Sequence, residues 1–229
     1  MLLAEDLLLL LTDDDSGRLL VTAAEADVAL GGARLIELTL AGRVDVTGEG
    51  EGRKGRLVVR SSERLGDPVL DDALGICVAY EGKKPQAVVG PLGKKLREAL
   101  YDRLVEQGVL RAERGKVLGI FPTSRWPAAD AAHERQVRQA LEQALLTGLP
   151  PQDRTAALVS LLLALRSVHK VVPPKQHGLA RRELERRAKQ IAEGDWGSAA
   201  VRKAVDAMAA ATMAAVTAAT SAAVVGGSS

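Results

Sequence analysis

The sequence predicts a mainly α-helical protein: a single helical-bundle domain with two peripheral β-hairpins. Hydrophobic residues make up 47% of the 229 positions, enough to fill a core, while aromatics make up only 2%. Such a core is built from Leu, Val, Ile and Ala, which suits helices packed at close range. Apolar residues recur at helical spacing over most of the chain, and alternating segments occur in only two places. The domain is expected to cover residues 1–225, with "GGSS" at 226–229 as a disordered tail.

The opening "MLLAEDLLLLLTDDD" has a leucine run but no basic segment before it, and Glu5 and Asp6 interrupt it, so it reads as a buried core segment and not as a signal peptide. Thr22 and Glu25 have the spacing of a capping box. Val28, Leu30, Leu35, Ile36, Leu38 and Leu40 continue the pattern, which predicts a helix over about 23–41. Gly42 suits the left-handed residue that closes such a helix. "RVDV" then alternates as a half-buried strand does, and "RLVVR" returns as its partner after the polar turn "TGEGEGRKG".

"DPVLDDALGICVAY" predicts a short helix begun by Asp67 and Pro68, followed by a loop through "EGKKPQAVVG". In "PLGKKLREALYDRLVEQ" the spacing of Leu92, Leu96, Leu100 and Leu104 predicts one helix, ended by Gly108. "VLRAERGKVLGIF" follows as a second hairpin, so the order helix, glycine, hairpin occurs twice with little sequence identity. From Pro127 onward the pattern is helical, over about 127–147, 153–168, 178–193 and 198–224. "LVSLLLAL" is apolar all round and reads as a central helix, whereas "ARRELERRAKQ" reads as a solvated face with ion pairs four residues apart. Residues 207–225 carry no charge, yet Ala, Thr and Ser give little insertion energy, so a packed helix is expected there instead of a membrane span.

Composition removes several functions. The 31 basic and 29 acidic residues leave a formal net charge of +2, so any anion-binding role is local. Cys77 is the only cysteine, which excludes a disulfide framework and a cysteine zinc cluster; it reads as a core filler in a cytosolic setting. His133, His169 and His177 lack ligand spacing, so no metal or cofactor is expected. Asp71 and Asp72 are neighbours on a helix and read as a solvated face. Acid, base and nucleophile candidates do not converge, and the chain is expected not to be an enzyme.

Two stretches carry a signal. "GPLGKKLRE" places Lys94, Lys95 and Arg97 in the opening turns of a helix, where positive charge opposes the helix dipole. That penalty reverses if an anion sits at the helix start. The phosphate-loop pattern fails, because Val88 stands where its first glycine should be and Lys95 where Ser or Thr should follow. The second stretch, "KVLGIFPTSRWP", gathers Val117, Leu118, Ile120, Phe121 and Trp126. Its adjacent apolar pairs face both sides of a hairpin, which fits either core packing or a loop that dips into a bilayer interface.

"LLAEDLLLLLTDDDSGRL", "LIELTLAGRVDV", "LREALYDRLVEQGVL" and "DRTAALVSLLLAL" fall in the order and spacing of the Golgi phosphoprotein 3 family, and the chain resembles a bacterial-type member of it. The resemblance implies a peripheral membrane protein on the cytosolic face of a membrane. It implies binding of phosphatidylinositol 4-phosphate in a basic pocket, insertion of a hydrophobic hairpin, and retention of membrane-protein or glycosyltransferase tails. In the family's pocket a Trp and an Arg precede the "LIEL" segment, and Thr22 and Gly31 stand at those positions here. The family's two later basic residues are kept as Lys94 and Arg97, with Arg18 or Arg34 as sources of the missing charge. The inserting hairpin corresponds to about 117–126. Partners implied are an anionic phospholipid membrane and those tails, with no nucleic acid; self-association into a homo-oligomer is left open.

A winged-helix-like DNA-binding regulator has the same order of helix, strand, turn, strand. "KKLREALYDRLVEQG" would then be the recognition helix and "RAERGK" the wing, with Arg111 and Arg114 on phosphates. Glu98, Asp102 and Glu106 on that helix count against it, since they would face the DNA backbone.

Overall fold

The computed structural model describes residues 1–48, 50–51, 53–117, 121–194, 205–207 and 209–218, and only the backbone of 114–117 and 121–124. It is mainly helical with two antiparallel two-stranded sheets, as the sequence predicts. The core is one contiguous set of mostly Leu, Val, Ile and Ala side chains, with Cys77 and Tyr101 among them, drawn from nearly every element.

Helix α1 (Leu3–Leu11) is the centre of this core, and every one of its residues is buried. It packs against α2 (Ala23–Leu40), α5 (Leu96–Glu106), α6 (Ala132–Thr147) and α7 (Asp153–Ala164). Burial on all sides traps Glu5 and Asp6, which arginine and histidine side chains then meet. Arg103 meets Glu5 at 2.8 Å, while Arg154 at 2.9 Å and His133 at 2.7 Å both meet Asp6. Arg154 also bonds Glu37 of α2 at 3.0 Å, so it joins three elements.

The capping box forms as expected: the Glu25 N–H donates to the Thr22 hydroxyl at 3.2 Å, and the Thr22 N–H donates to the Glu25 carboxylate at 2.8 Å. Gly42 adopts φ +67°, which lets the Arg43 N–H reach the Leu38 carbonyl at 2.9 Å and turns the chain into β1. β1 (Val44–Val46) pairs with β2 (Leu57–Val59), with Asp45 opposite Val58. α3 (Pro68–Ala79) begins as predicted, with Asp67 accepting from the Val69 N–H at 2.9 Å.

The segment 81–107 differs from expectation. Its first part is not a loop but α4 (Pro85–Gly93), and the chain breaks at Lys94 and Lys95 before α5 starts. The cause is tertiary. A Cβ on Gly93 would lie 1.9 Å from the Asp27 carbonyl of α2, and one on Gly31 would lie 2.2 Å from the Val89 carbonyl of α4. The two glycines let α2 and α4 touch backbone to backbone, and the chain then turns through Lys95 at φ +58° to direct α5 elsewhere.

Strand β3 (Glu113–Val117) pairs with β4 (Phe121–Arg125), placing Glu113 opposite Arg125 and Val117 opposite Phe121. α6 starts five residues later than predicted, after the Asp130 carboxylate accepts from the Ala132 N–H at 2.8 Å. The predicted helix over 153–168 is split: α7 stops at Ala164, Arg166 turns at φ +52°, and α8 (Val168–Val171) follows. A 3-10 turn (Pro174–His177) precedes α9 (Arg181–Ala192), and 205–207 and 209–218 are helical. The predicted tail at 226–229 lies outside the described residues. Among the described residues no helix is long and apolar enough to cross a membrane.

Candidate functional site

Two of the predicted basic residues meet in one place. The loop after α1 carries Arg18, the first turn of α5 carries Arg97, and both line a cavity of about 290 Å³ together with Leu19, Glu98, Tyr101 and Trp126. The loop is held there by backbone contact. Gly17 adopts φ +61°, its carbonyl accepts from the Trp126 N–H at 3.3 Å, and a Cβ on it would lie 2.4 Å from that nitrogen. Only glycine allows so close an approach in that conformation.

The floor of the cleft is aromatic. Trp126 stacks on Tyr101, with ring centroids 3.9 Å apart and planes 3° from parallel. Tyr101 is fully buried beneath it, and its hydroxyl donates to Thr12 Oγ1 at 3.0 Å, because the Thr12 proton is used on the Leu8 carbonyl at 2.8 Å. Burial raises the Tyr101 pKa, so the phenol stays neutral. Trp126 is therefore packed into the cleft wall at the base of the hairpin. Of the other predicted hairpin residues, Val117 and Phe121 are partners in the backbone register of the hairpin, and Leu118 and Ile120 lie outside the described residues.

Arg97 is mostly buried, with 17% of its side chain exposed, and two carboxylates share it. It donates to Glu98 at 2.9 Å, and its Nε lies 3.6 Å from Asp27 on α2. The hydrogen bond from Arg97 is the main cause that lowers the Glu98 pKa, whereas burial raises that of Asp27. Lys94 and Lys95 are exposed at the α4–α5 break, just before Arg97 in the chain. Among the described residues no carboxylate lies within ion-pair distance of Lys94, Lys95 or Arg18.

Arg34 does not join this group. Only 4% of its side chain is exposed, and its guanidinium donates to the Leu92 carbonyl at 2.9 Å, to the Val69 carbonyl and to Asp72 at 2.7 Å. It ties α2 to α3 and α4, a structural role that its sequence context does not reveal. Asp71 and Asp72 are correspondingly more than a solvated face. Asp71 accepts from the Leu65 N–H at 2.7 Å, and Asp72 holds Arg34.

Two other places among the described residues offer less. In a cavity of about 350 Å³ between the α6–α7 loop and α9, Arg187 is already bonded to Glu183 and to the Leu145 and Leu146 carbonyls. Burial pushes the Cys77 thiol up to about 12, which leaves no thiolate at neutral pH. Among the described residues no group of His, Cys, Asp and Glu could hold a metal ion. On α5, Glu98, Asp102 and Glu106 are all exposed, an acidic face that a DNA backbone would repel.

The family model described as Golgi phosphoprotein 3 matches residues 3–208, nearly the whole chain. The chain belongs to the Golgi phosphoprotein 3 family. It is similar to the vacuolar protein sorting-associated protein 74 of Eremothecium gossypii, with 28% identity over 172 residues. That match covers 66% of this chain and 50% of the relative, so the chain spans about half the length of the curated relative it matches.

Family membership sharpens two positions. Thr22 and Gly31, which stand where the resemblance implies a Trp and an Arg, both have local work here: Thr22 caps α2, and Gly31 is the point where α4 crosses it. An arginine cannot be accommodated at Gly31 without separating the two helices. The aromatic and the second basic side chain that line the cleft beside Arg97 are Trp126 and Arg18. Sequence reading named both residues but did not bring them together, and it missed the roles of Asp27, Glu98 and Tyr101. The four-residue spacing of Arg97 and Tyr101 on one helix was the available signal.

Proposed function

We propose that this chain is a non-enzymatic peripheral membrane adaptor whose Arg18–Arg97 cleft binds the phosphorylated headgroup of an anionic lipid, of the phosphatidylinositol 4-phosphate type. The observation that carries this reading is the meeting of Arg18 and Arg97 over an aromatic floor, with exposed Lys94 and Lys95 beside them. Each basic residue near an anionic surface contributes on the order of 1 kcal/mol, so four make a useful but salt-sensitive attraction. The hairpin around 117–126 adds apolar insertion, and the cytosolic face of a membrane is the site of action. Membrane-protein or glycosyltransferase tails are the clients, and self-association fits the same role. Residues 1–225 act as one unit.

Co-sedimentation with phosphatidylcholine vesicles, with and without phosphatidylinositol 4-phosphate, tests this directly. Lys94→Glu with Arg97→Glu abolishes binding to the anionic vesicles and leaves the weak binding to neutral ones. Unchanged binding of the double variant would mean that the cleft is not the lipid site.

A further inference from the structure

Lysines stand in pairs at both ends of α4. Lys83 and Lys84 precede the helix, Lys94 and Lys95 follow it, and the segment 82–97 contains no acidic residue. All four lysines are exposed, and among the described residues no carboxylate lies within ion-pair distance of them. Val88, Val89, Leu92 and Gly93 are buried, which leaves Gln86, Ala87 and Gly90 exposed and Pro91 half-buried as the outer side of the helix. At about 100° and 1.5 Å per residue, Lys84 and Lys94 bound that same side at its two ends, roughly 15 Å apart. The fold gives no reason for either pair. Lys84 is the N-cap of α4 yet makes no side-chain cap bond, and positive charge there opposes the helix dipole. Lys95 holds φ +58°, a conformation that suits glycine. The acidic residues that border the segment are engaged elsewhere: Glu81 accepts from the Val59 N–H at 3.0 Å, and Asp27 and Glu98 share Arg97.

We propose that the outer side of α4, bounded by the two lysine pairs, is a docking face that lies flat on an anionic bilayer and responds to surface charge without selecting a headgroup. The inference rests on the reading of this chain as a membrane adaptor, and it adds the surface through which the chain is oriented. A lysine ammonium is a point charge on a flexible stem and requires no fixed partner geometry, which suits the mobile charges of a lipid surface. Between the two pairs nothing larger than Gln86 stands out from the helix, so a planar charged surface meets both pairs together. The same low, uncharged side offers a folded partner little to grip. Lys94 and Lys95 also adjoin Arg97 in the chain, so docking through α4 sets the cleft at the same lipid surface.

Ala87→Cys carrying a polarity-sensitive fluorophore reports on this face, since Cys77 is buried and takes no label. Gln190→Cys on α9, which packs on α6, α7 and α8, is the control. On phosphatidylcholine vesicles with phosphatidylserine, the fluorophore at 87 is expected to shift to the blue and the one at 190 to stay, while phosphatidylcholine alone moves neither. A fluorophore at 87 that stays in water while the protein co-sediments overturns the proposal and leaves the cleft reading intact; equal shifts at both positions also overturn it. Lys83→Gln with Lys84→Ser is the second arm. The serine supplies the missing cap, so thermal unfolding is expected at the same temperature or higher. Binding is expected to fall about thirtyfold on vesicles with either phosphatidylserine or phosphatidylinositol 4-phosphate, the effect of two basic residues at a lipid surface. Arg97→Glu is expected to cost more on phosphatidylinositol 4-phosphate. Full binding by the lysine variant beside a loss for Arg97→Glu would remove the α4 face and keep the cleft, and the converse would keep the face and remove the cleft. A loss by the lysine variant on phosphatidylinositol 4-phosphate alone would make the pair part of a headgroup site and overturn the proposal. A loss confined to a polyglutamate peptide, with vesicle binding unmoved, would assign the lysines to an acidic protein and overturn it too. Wild type that binds neither vesicle overturns both readings.

Discussion

Charge is handled in opposite ways at the two sides of α1. Around its N-terminal half Glu5, Asp6 and Glu37 are enclosed, and Arg103, Arg154 and His133 meet them at 2.7 to 3.0 Å. Beyond its C-terminal end Arg18, Lys94 and Lys95 stand in solvent with no such partner among the described residues, and Arg97 is shared between Glu98 at 2.9 Å and Asp27 at 3.6 Å. The first region spends its charges on the fold. The second leaves three cations in solvent, in a chain whose net charge is only +2.

The comparison breaks most severely at Arg154. Arg154→Met leaves Asp6 and Glu37 enclosed without their shared cation, which is expected to cost about 3 to 5 kcal/mol in denaturant unfolding. Vesicle binding by the fraction that remains folded is expected to be unchanged. A loss of less than about 1 kcal/mol would show that these charges reach water.

Next in size is Gly31→Ala, expected to destabilise by about 3 kcal/mol because the new methyl meets the Val89 carbonyl at 2.2 Å. Gly75→Ala in α3 is the control. A Cβ there meets nothing within 4 Å, and the helix gains up to about 1 kcal/mol. If both substitutions behaved alike in thermal unfolding, the close crossing of α2 and α4 would be wrong.

How far these features were legible in the sequence depends on what each residue answers to. Thr22, Glu25 and Gly42 act on their own turn of chain, and the structure has them as read. The leucine run of α1 was legible as core because nothing else could hold it, yet the burial of Glu5 and Asp6 was not, since their partners come from α5, α6 and α7. The α4–α5 break was hidden because Leu92, Leu96, Leu100 and Leu104 keep helical spacing across it, while its cause lies in Asp27 of another helix. In the cleft, Arg97 was legible from the charge excess at a helix start. Arg34 was misplaced because its partners are mostly backbone carbonyls, which no sequence pattern displays.

Glu134 belongs to the enclosed side and gives that region a pH signature. It is buried at the start of α6, and burial, with a hydrogen bond to Asp14 as the second cause and the Arg138 pair opposing, pushes its carboxyl up to about 7. The folded state thus keeps a proton that the unfolded chain releases near pH 4.5. This contribution to stability is full below about 4.5, falls as the pH rises toward about 7, and is lost above that, by at most about 3 kcal/mol. Glu134→Gln cannot titrate, so its stability is expected to decline less between about pH 5 and pH 8 in parallel urea titrations. Curves of equal slope would place Glu134 in contact with water.

The smallest effect tests the open side. Arg18→Ala removes one exposed guanidinium that supports no other element among the described residues, so unfolding is expected to change by less than about 0.5 kcal/mol. Binding to vesicles with phosphatidylinositol 4-phosphate is expected to fall about fivefold, and the loss to shrink as salt is raised. Combined with Arg97→Ala it discriminates a shared site from a diffuse basic surface. Two cations acting on one phosphate give a double variant whose loss is smaller than the product of the single losses, because either change alone already removes the clamp. Losses that multiply would mean that Arg18 and Arg97 attract the membrane independently, and the cleft between them would then be a feature of the surface without being a binding site.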